Sequence, residues 1–224
     1  MVDFLLDILI SLPCVLVALV FHEIAHGFIA YKLGDPTAKY MGRLTLNPLK
    51  HLDLWGTLCM VFFRFGWAKP VPIDVRYFKK PRRDICLTAL AGPMANILLA
   101  LLGAFLYSLT IPWISDSILT ESGFLYYICY AYAVLLYNFI WLNIALALFN
   151  LIPLPPIDGS RIFLIWLPYR TYAKIVRHER EISAIFMVLL LLDSRILNGV
   201  FTGLLSRAVV FVMDGMLSLF SFLY

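Results

Sequence analysis

The sequence predicts an all-α polytopic membrane protein with about four to six transmembrane helices, each of about 20 residues. Hydrophobic residues make up 62% of the 224 residues and charged residues only 14%, and the mean hydropathy is +0.88. Soluble domains are typically about half apolar and about a quarter charged. Three apolar runs, at residues 8–33, 85–111 and 124–150, are long enough to cross a bilayer. We therefore expect one integral-membrane domain over residues 1–224.

Lys and Arg residues are distributed unevenly between the apolar runs. Residues 32–83 contain eleven of them, whereas residues 112–123 contain none and carry Asp116 and Glu121 instead. Because cytoplasmic loops are enriched in Lys and Arg, we expect residues 32–83 on the cytoplasmic side and residues 112–123 on the opposite side. The charges flank apolar spans, which disfavours a nucleic-acid-binding surface.

The first span has a well-marked end. Lys32 lies in the predicted last turn, Gly34 can take the left-handed position after the helix, and Pro36 prevents its continuation. The N-terminus lacks a basic region and carries Asp3 and Asp7. We therefore expect a retained span with its N-terminus outside, not a secretory signal peptide.

The segment between the first two long spans predicts a short membrane-associated β-hairpin or re-entrant element. Apolar and polar residues alternate at residues 43–47, which is typical of a short strand. Residues 54–63 are apolar but too short to cross the bilayer, and basic segments flank them. Residues 66–75 contain two prolines and predict an extended segment or edge strand.

The C-terminal third is predicted to add helices to a core at residues 8–168. The stretch LIPLPPIDGSRI follows the third long run, and its prolines and glycine end that helix at the cytoplasmic side. C-terminal helices are expected at residues 172–224. Two apolar runs, near 182–205 and 208–223, predict spans or helices that lie on the membrane.

The first span carries the pattern HExxH at residues 22–26. Positions i and i+4 share a helix face, so His22 and His26 can reach one metal ion. Glu23 projects beside that position, from which it can take a proton from water, as in zinc hydrolysis. Ionisable residues at membrane depth normally mark functional sites, which favours this interpretation over buried structural histidines.

A catalytic zinc ion usually has three protein ligands. Asp158, in LPPIDGS, is the favoured third candidate because irregular backbone at membrane depth is tolerated where it borders protein or a water-filled cavity. His51 and His178 are the alternatives, although His178 lies in a charged, solvated stretch. The four cysteines show no CxxC spacing and do not support a cysteine zinc site.

Three motifs in order make this sequence resemble the site-2 protease family of intramembrane zinc metalloproteases. They are HEIAH in the first span, AGPMAN in a middle span and NLIPLPPIDG near the end of a later one. GRLTLNPLKHLD and GWAKPVPID are similar to a compact prokaryotic branch, so the resemblance covers roughly residues 15–165. It implies that His22, His26 and Asp158 bind one Zn²⁺ and that Glu23 is the catalytic base.

The same resemblance suggests roles for the middle-span motif. Gly92, Pro93 and Asn96 match a GxxxN-type motif of the family, in which Asn96 could donate a hydrogen bond to the substrate carbonyl or oxyanion. Alternatively, Gly92 and Ala95 could serve close helix packing. Asn150 could orient the loop that carries Asp158, or cap a helix. Many family members carry a PDZ domain, but the connection at residues 112–123 is too short for one.

The expected function is zinc-dependent endopeptidase activity in or next to a transmembrane helix of a membrane-protein substrate. We expect a multi-pass cell-membrane protein whose active site faces the cytoplasm, in contact with the lipid bilayer and with no nucleic-acid partner. Residues 43–47 or 70–74 could hold an unwound substrate as an added strand. The alternatives are a non-proteolytic zinc-binding scaffold or regulator, and a metal transporter, although no internal repeat is found.

Overall fold

The computed structural model describes residues 2–53, 56, 68–118, 124–193 and 199–223. Helices dominate these residues. They are α1 (Val2–Lys32), α2 (Thr37–Tyr40), α3 (Pro81–Ile118), α4 (Phe124–Asn150), α5 (Asp158–Phe163), α6 (Tyr169–Arg177), α7 (Glu179–Asp193) and α8 (Val200–Leu219). Short 3₁₀ turns occupy Pro48–Lys50, Val75–Tyr77, Leu164–Trp166 and Ser221–Leu223.

Four of the described helices contain a segment long and apolar enough to cross a membrane. These segments are Ile10–Lys32, Pro81–Pro112, Tyr127–Asn150 and Val200–Leu219. They lie in α1, α3, α4 and α8. The prediction of an all-α polytopic membrane protein is therefore confirmed, with a number of spans in the described residues at the lower end of the expected range.

The centre of the bundle is the contact between α3 and α4. α1 packs against both of these helices, and α8 covers α4 on another side. Ala100 and Ala104 of α3 are fully buried against Ile140 and Ile144 of α4. Small side chains on one helix let the backbones approach closely, which is how helices associate in a bilayer where the hydrophobic effect contributes little.

The strand predicted at residues 43–47 is wrong, because the backbone bends there. Thr45 Oγ1 accepts a hydrogen bond from Asn47 N (3.3 Å), and Asn47 Oδ1 accepts one from Leu49 N (3.0 Å). Such side chains offer the backbone an alternative to strand pairing. Pairing in the described residues is limited to an isolated antiparallel bridge between Leu52 and Ala68. The re-entrant segment predicted at residues 54–63 lies outside the described residues, apart from residue 56.

The two C-terminal helices meet at a different place from the one predicted. The sequence placed the break between residues 205 and 208, but in the structure it lies between Asp193 and Val200. α7 ends at Asp193 and α8 begins at Val200, after Gly199 in the left-handed region (φ +69°). Asp193 is buried, and its carboxylate accepts hydrogen bonds from Phe201 N and Thr202 N, both 3.0 Å. These bonds satisfy amides that the first turn of α8 leaves free. They also hold the pKa of Asp193 below its usual range, the bond from Thr202 most strongly.

Candidate metal centre

Two histidines of α1 and one aspartate of α5 converge on one point. His22 Nε2 and His26 Nε2 lie 3.0 Å apart. Asp158 Oδ2 lies 3.1 Å from His22 Nε2 and 3.0 Å from His26 Nε2. Both imidazoles are buried, with 5% and 7% of their residue surface exposed. The structure thus brings together the three residues predicted to bind metal, although Asp158 is distant from the histidines in sequence.

The donor set fits a zinc ion. His22 Nδ1 lies 2.6 Å from Asn96 Oδ1, and His26 Nδ1 lies 2.7 Å from the Thr88 carbonyl oxygen. A carbonyl oxygen only accepts, so His26 carries its proton on Nδ1 and presents a lone pair on Nε2. Bonds of about 2.1 Å to a tetrahedral zinc place neighbouring ligand atoms about 3.4 Å apart, close to the observed separations. Three acceptor atoms this close repel one another unless a cation lies among them.

Asp158 owes its position to the loop that follows α4. It is the first residue of α5. A Cβ on Gly159 would lie 2.5 Å from the Leu151 carbonyl oxygen, so only glycine lets α5 begin against the end of α4. Its Oδ2 faces the Nε2 atoms of both His22 and His26, so the Asp158 carboxylate is placed to supply an anionic ligand beside two neutral imidazoles.

Gly92 lets the α3 backbone lie directly against the two imidazoles. A Cβ at this position would lie 2.5 Å from His22 Cε1 and 2.5 Å from His26 Nε2. Real Cβ atoms do not approach other atoms this closely, so any other residue would displace a histidine. This contact supports the close-packing role for Gly92.

Asn96 is fully buried, and both of its amide hydrogens are used inside the protein. Its Nδ2 donates to Ala18 O (3.1 Å) and to Asn143 Oδ1 (2.9 Å), while its Oδ1 faces His22 Nδ1. This geometry favours a role in orienting His22 over the predicted contact with a substrate oxyanion. Hydrogen bonds of this kind fix the ring orientation of metal-binding histidines.

Glu23 lies in the same cleft as the three converging residues. The cleft has a volume of about 460 Å³. Glu23 Oε2 accepts a hydrogen bond from Val71 N (2.8 Å), which fixes the carboxylate against the extended segment at residues 68–75. We call this segment the cleft wall. Further apolar side chains from the wall and from three spans line the cleft, among them Leu19, Ile73, Val75, Ile85, Ala89, Leu146 and Phe149.

Four further hydrogen bonds, made by three residues, hold the cleft wall in place. His51 O accepts a hydrogen bond from Lys69 N (2.8 Å). Arg43 Nη2 donates to Lys69 O (2.6 Å) and Pro70 O (3.2 Å). Asp35 Oδ2 accepts from Asp74 N (2.7 Å). These anchors make the wall a defined surface although residues 69–74 belong to no helix or strand.

The alternative metal ligands do not join the cluster. His51 is buried beneath the wall, with Nε2 donating to Thr45 O (2.8 Å). His178 is exposed after α6 and bonds to Lys174 O.

Asn150 lines the cleft and donates to Leu146 O (2.9 Å). The sequence interpretation missed Thr88, which acts through its backbone, and Asn143, whose signal was a polar residue inside an apolar span.

The chain is similar to proteins described as zinc metalloproteases. The model of peptidase family M50 matches residues 127–193. "Putative zinc metalloprotease YwhC" of Bacillus subtilis (strain 168) is 43% identical over 178 residues, which cover 78% of this chain and 76% of the relative. "Putative zinc metalloprotease Rip2" of Mycobacterium tuberculosis (strain ATCC 25618 / H37Rv) is 28% identical over 194 residues, 84% of this chain and 68% of the relative. No solved structure matches the chain significantly.

Proposed function

The chain belongs to peptidase family M50, the site-2 protease family of zinc metalloproteases, and we propose that it cleaves membrane-protein substrates in or next to a transmembrane segment. The observation that carries this proposal is the cleft itself. It joins a three-residue zinc donor set to a glutamate, and it lies among helices apolar enough to span a membrane. A substrate helix in the bilayer would meet this cleft laterally.

The residues of the donor set have distinct tasks. His22, His26 and Asp158 would hold the zinc ion, and Asp158 would supply the negative charge. A bound zinc ion acidifies water to a pKa of about 7 and polarises a carbonyl group. Because all three ligands are held by other parts of the fold, the site would need little rearrangement to bind the ion.

Glu23 is the proposed general base. Its carboxylate would accept a proton from the attacking water and return that proton to the leaving amine as the peptide bond breaks. The hydrogen bond from Val71 N to Oε2 orients the group, and a carboxylate retains capacity for further donors. Glutamine at this position could still accept the bond from Val71 N but could not take up the proton.

The cleft wall is the proposed substrate-binding edge. A helical substrate hides its carbonyls in hydrogen bonds, so it must unwind before attack. Of the two segments considered for strand addition, residues 70–74 line the cleft in an extended conformation, whereas residues 43–47 bend. We therefore assign the added strand to residues 70–74, where an extended peptide could pair with free backbone groups.

The protein is a multi-pass membrane protein, and we place its active site toward the cytoplasm. The reason is the excess of Lys and Arg between the first two spans, in residues 32–83. The cleft wall belongs to this region, so the wall and the donor set would lie near the cytoplasmic end of the bundle.

The test compares wild type, Glu23→Gln and Asp158→Ala in two measurements. The first is the zinc content of the detergent-purified protein. We expect about one zinc per chain in wild type and Glu23→Gln, and loss of zinc in Asp158→Ala. The second is mass spectrometry of new protein termini in membranes of cells that express each variant. We expect products with wild type alone.

Glu181→Gln, at an exposed glutamate of α7, serves as the control and should match wild type in both measurements. Zinc binding without any Glu23-dependent product would refute proteolysis and favour a scaffold or regulator. Glu23-dependent passage of metal ions without cleavage would favour a transporter. Zinc retained by Asp158→Ala would refute the donor set.

A further inference from the structure

Asn143 lies in the middle of α4, fully buried among apolar residues. A buried amide is costly unless its hydrogen-bonding groups are satisfied. Its Nδ2 donates to Phe139 O (2.9 Å), and its Oδ1 accepts a hydrogen bond from Asn96 Nδ2 (2.9 Å). Both the nitrogen and the oxygen of this side chain are therefore hydrogen-bonded, and the bond to the oxygen connects Asn143 to Asn96 beside the metal centre.

The direction of these hydrogen bonds is determined by backbone carbonyl groups. Phe139 O can only accept, so Asn143 must direct its Nδ2 toward Phe139 and its oxygen toward Asn96. Asn96 then directs Nδ2 toward two acceptors, Asn143 Oδ1 and Ala18 O. Its own oxygen is left facing His22 Nδ1, which must carry a proton to donate.

We propose that Asn143 is a positioning residue for the metal centre. Acting through Asn96, it selects the tautomer of His22 in which Nδ1 is protonated and Nε2 is free to bind metal. This inference rests on the proposed role of His22 as a zinc ligand, but not on proteolysis.

The energetic reason is the cost of turning the Asn96 amide around. In the wild-type protein a turned amide would place its oxygen against Asn143 Oδ1 and Ala18 O, which are both acceptors. It would also present NH₂ to His22 Nδ1, which favours the tautomer protonated on Nε2. Without Asn143 only one of the two repulsive contacts remains, so the turned state becomes more populated.

His26 provides an internal reference. Its Nδ1 donates directly to Thr88 O, a backbone carbonyl, and no side-chain amide intervenes. The tautomer of His26 should therefore not depend on Asn143. A change in the His22 tautomer without a change in the His26 tautomer would therefore indicate that Asn143 acts on His22 through Asn96.

The experiment uses Asn143→Leu, which is similar in size but lacks the amide, and Asn143→Asp, which is isosteric and in its neutral form keeps an O–H donor for Phe139 O and an acceptor oxygen for Asn96. Asn138→Leu is the matched control, because Asn138 lies in the same helix and makes the same kind of bond to Val134 O (2.8 Å). Zinc affinity is measured by competition with a chromophoric chelator in detergent. Imidazole ¹⁵N shifts of the zinc-free protein report each histidine tautomer.

Asn143→Leu should weaken zinc binding by about 10- to 100-fold, the range usual for partners of metal-binding histidines. It should also give His22 a mixed tautomer signal while His26 stays unchanged. Asn143→Asp should recover most of the affinity, and Asn138→Leu should match wild type.

Wild-type affinity in Asn143→Leu would overturn the inference. So would weakened binding with an unchanged His22 tautomer, because this result indicates a packing role alone. His22→Ala is measured in parallel. If His22→Ala retains zinc, the assignment of His22 as a ligand fails. If His22→Ala loses zinc but Asn143→Leu binds it with wild-type affinity, only the positioning role of Asn143 is refuted.

Discussion

The two sides of the cleft are built in different ways. On the metal side, His22 and Asp158 are held by helices and by buried side chains such as Asn96. On the opposite side, the cleft wall at residues 68–75 is an extended segment between a bridge residue, Ala68, and a 3₁₀ turn that begins at Val75, and it depends on isolated anchors such as Arg43. The first construction holds the ligand atoms at defined distances from one another, as a metal requires. The second holds an extended stretch of backbone along the cleft.

Buried polar side-chain atoms without a hydrogen-bond partner in the described residues occur on both sides of the cleft. Two of them, Arg43 Nε and His51 Nδ1, belong to residues that anchor the wall. The metal side contributes Thr88 Oγ1, but every nitrogen and oxygen of the His22 and Asn96 side chains has a partner. Each unsatisfied buried group costs about 1–3 kcal/mol. Because the ligand atoms all lie on the metal side, we expect substitutions there to abolish zinc binding and substitutions in the wall to change substrate binding.

The largest effect is expected for Gly92→Ala. The added Cβ would lie 2.5 Å from atoms of both imidazoles, so at least one histidine must move out of the donor set. Zinc affinity should fall by more than about tenfold, and cleavage should be lost. Gly203→Ala in α8 is the control, because nothing lies within 4 Å of its added Cβ. Wild-type zinc affinity in Gly92→Ala, measured by chelator competition, would contradict the observed packing.

Arg43→Gln should have an intermediate effect that is confined to substrate binding. The change weakens the hydrogen bonds to the Lys69 and Pro70 carbonyls while zinc binding stays intact. KM should rise by about tenfold, equivalent to about 1.4 kcal/mol, with a smaller change in kcat. Arg180→Gln is the control, at an exposed arginine of α7. Loss of zinc in Arg43→Gln would show that the two sides are not independent.

Ile73→Pro tests the wall as a strand-pairing edge. Proline removes the backbone N–H that an added substrate strand could use. We expect kcat/KM to fall by about tenfold or less, because one ladder hydrogen bond contributes about 1 kcal/mol. Ile73→Ala keeps the N–H and separates the backbone effect from loss of the side chain. Equal kinetics in the two variants would argue against strand addition.

The smallest effect is expected far from the cleft, at the start of α8. Bonds from Thr202 and Phe201 hold the pKa of Asp193 below its usual range, so its ionised form stabilises the fold above the unfolded pKa of about 3.9. This stabilisation should be lost as the pH falls through the folded-state pKa. Asp193→Asn should lower Tm at pH 7 by about 2–4 °C.

The deficit of Asp193→Asn should shrink toward zero as the pH falls below about 4. Thermal unfolding in detergent at several pH values measures this trend, with zinc content as a check that the cleft is unaffected. Asp214→Asn, at an exposed carboxylate of α8, is the control. A deficit that persists at low pH would contradict the assigned role of the charge.

Several features of the site could be predicted because local pattern is sufficient for them. The spacing of His22 and His26 on a helix places both rings on one face, and apolar length indicates the spans. Asp158 could be selected because prolines and a glycine mark irregular backbone at a span end. By contrast, the alternation of apolar and polar residues at 43–47 predicted a strand that does not form, because the side chains of Thr45 and Asn47 bond to nearby backbone.

The sequence by itself thus determined the class of protein, the three long spans at residues 8–33, 85–111 and 124–150, and the candidate zinc ligands. Only the tertiary structure decided the neighbours of those residues: Thr88 O beside His26, Asn143 behind Asn96, and Val71 N on Glu23. The physical reason is that helix formation follows short-range periodicity, which is written in the side chains. Contacts to backbone groups from distant segments carry no side-chain signature, and they exist only once the helices have packed.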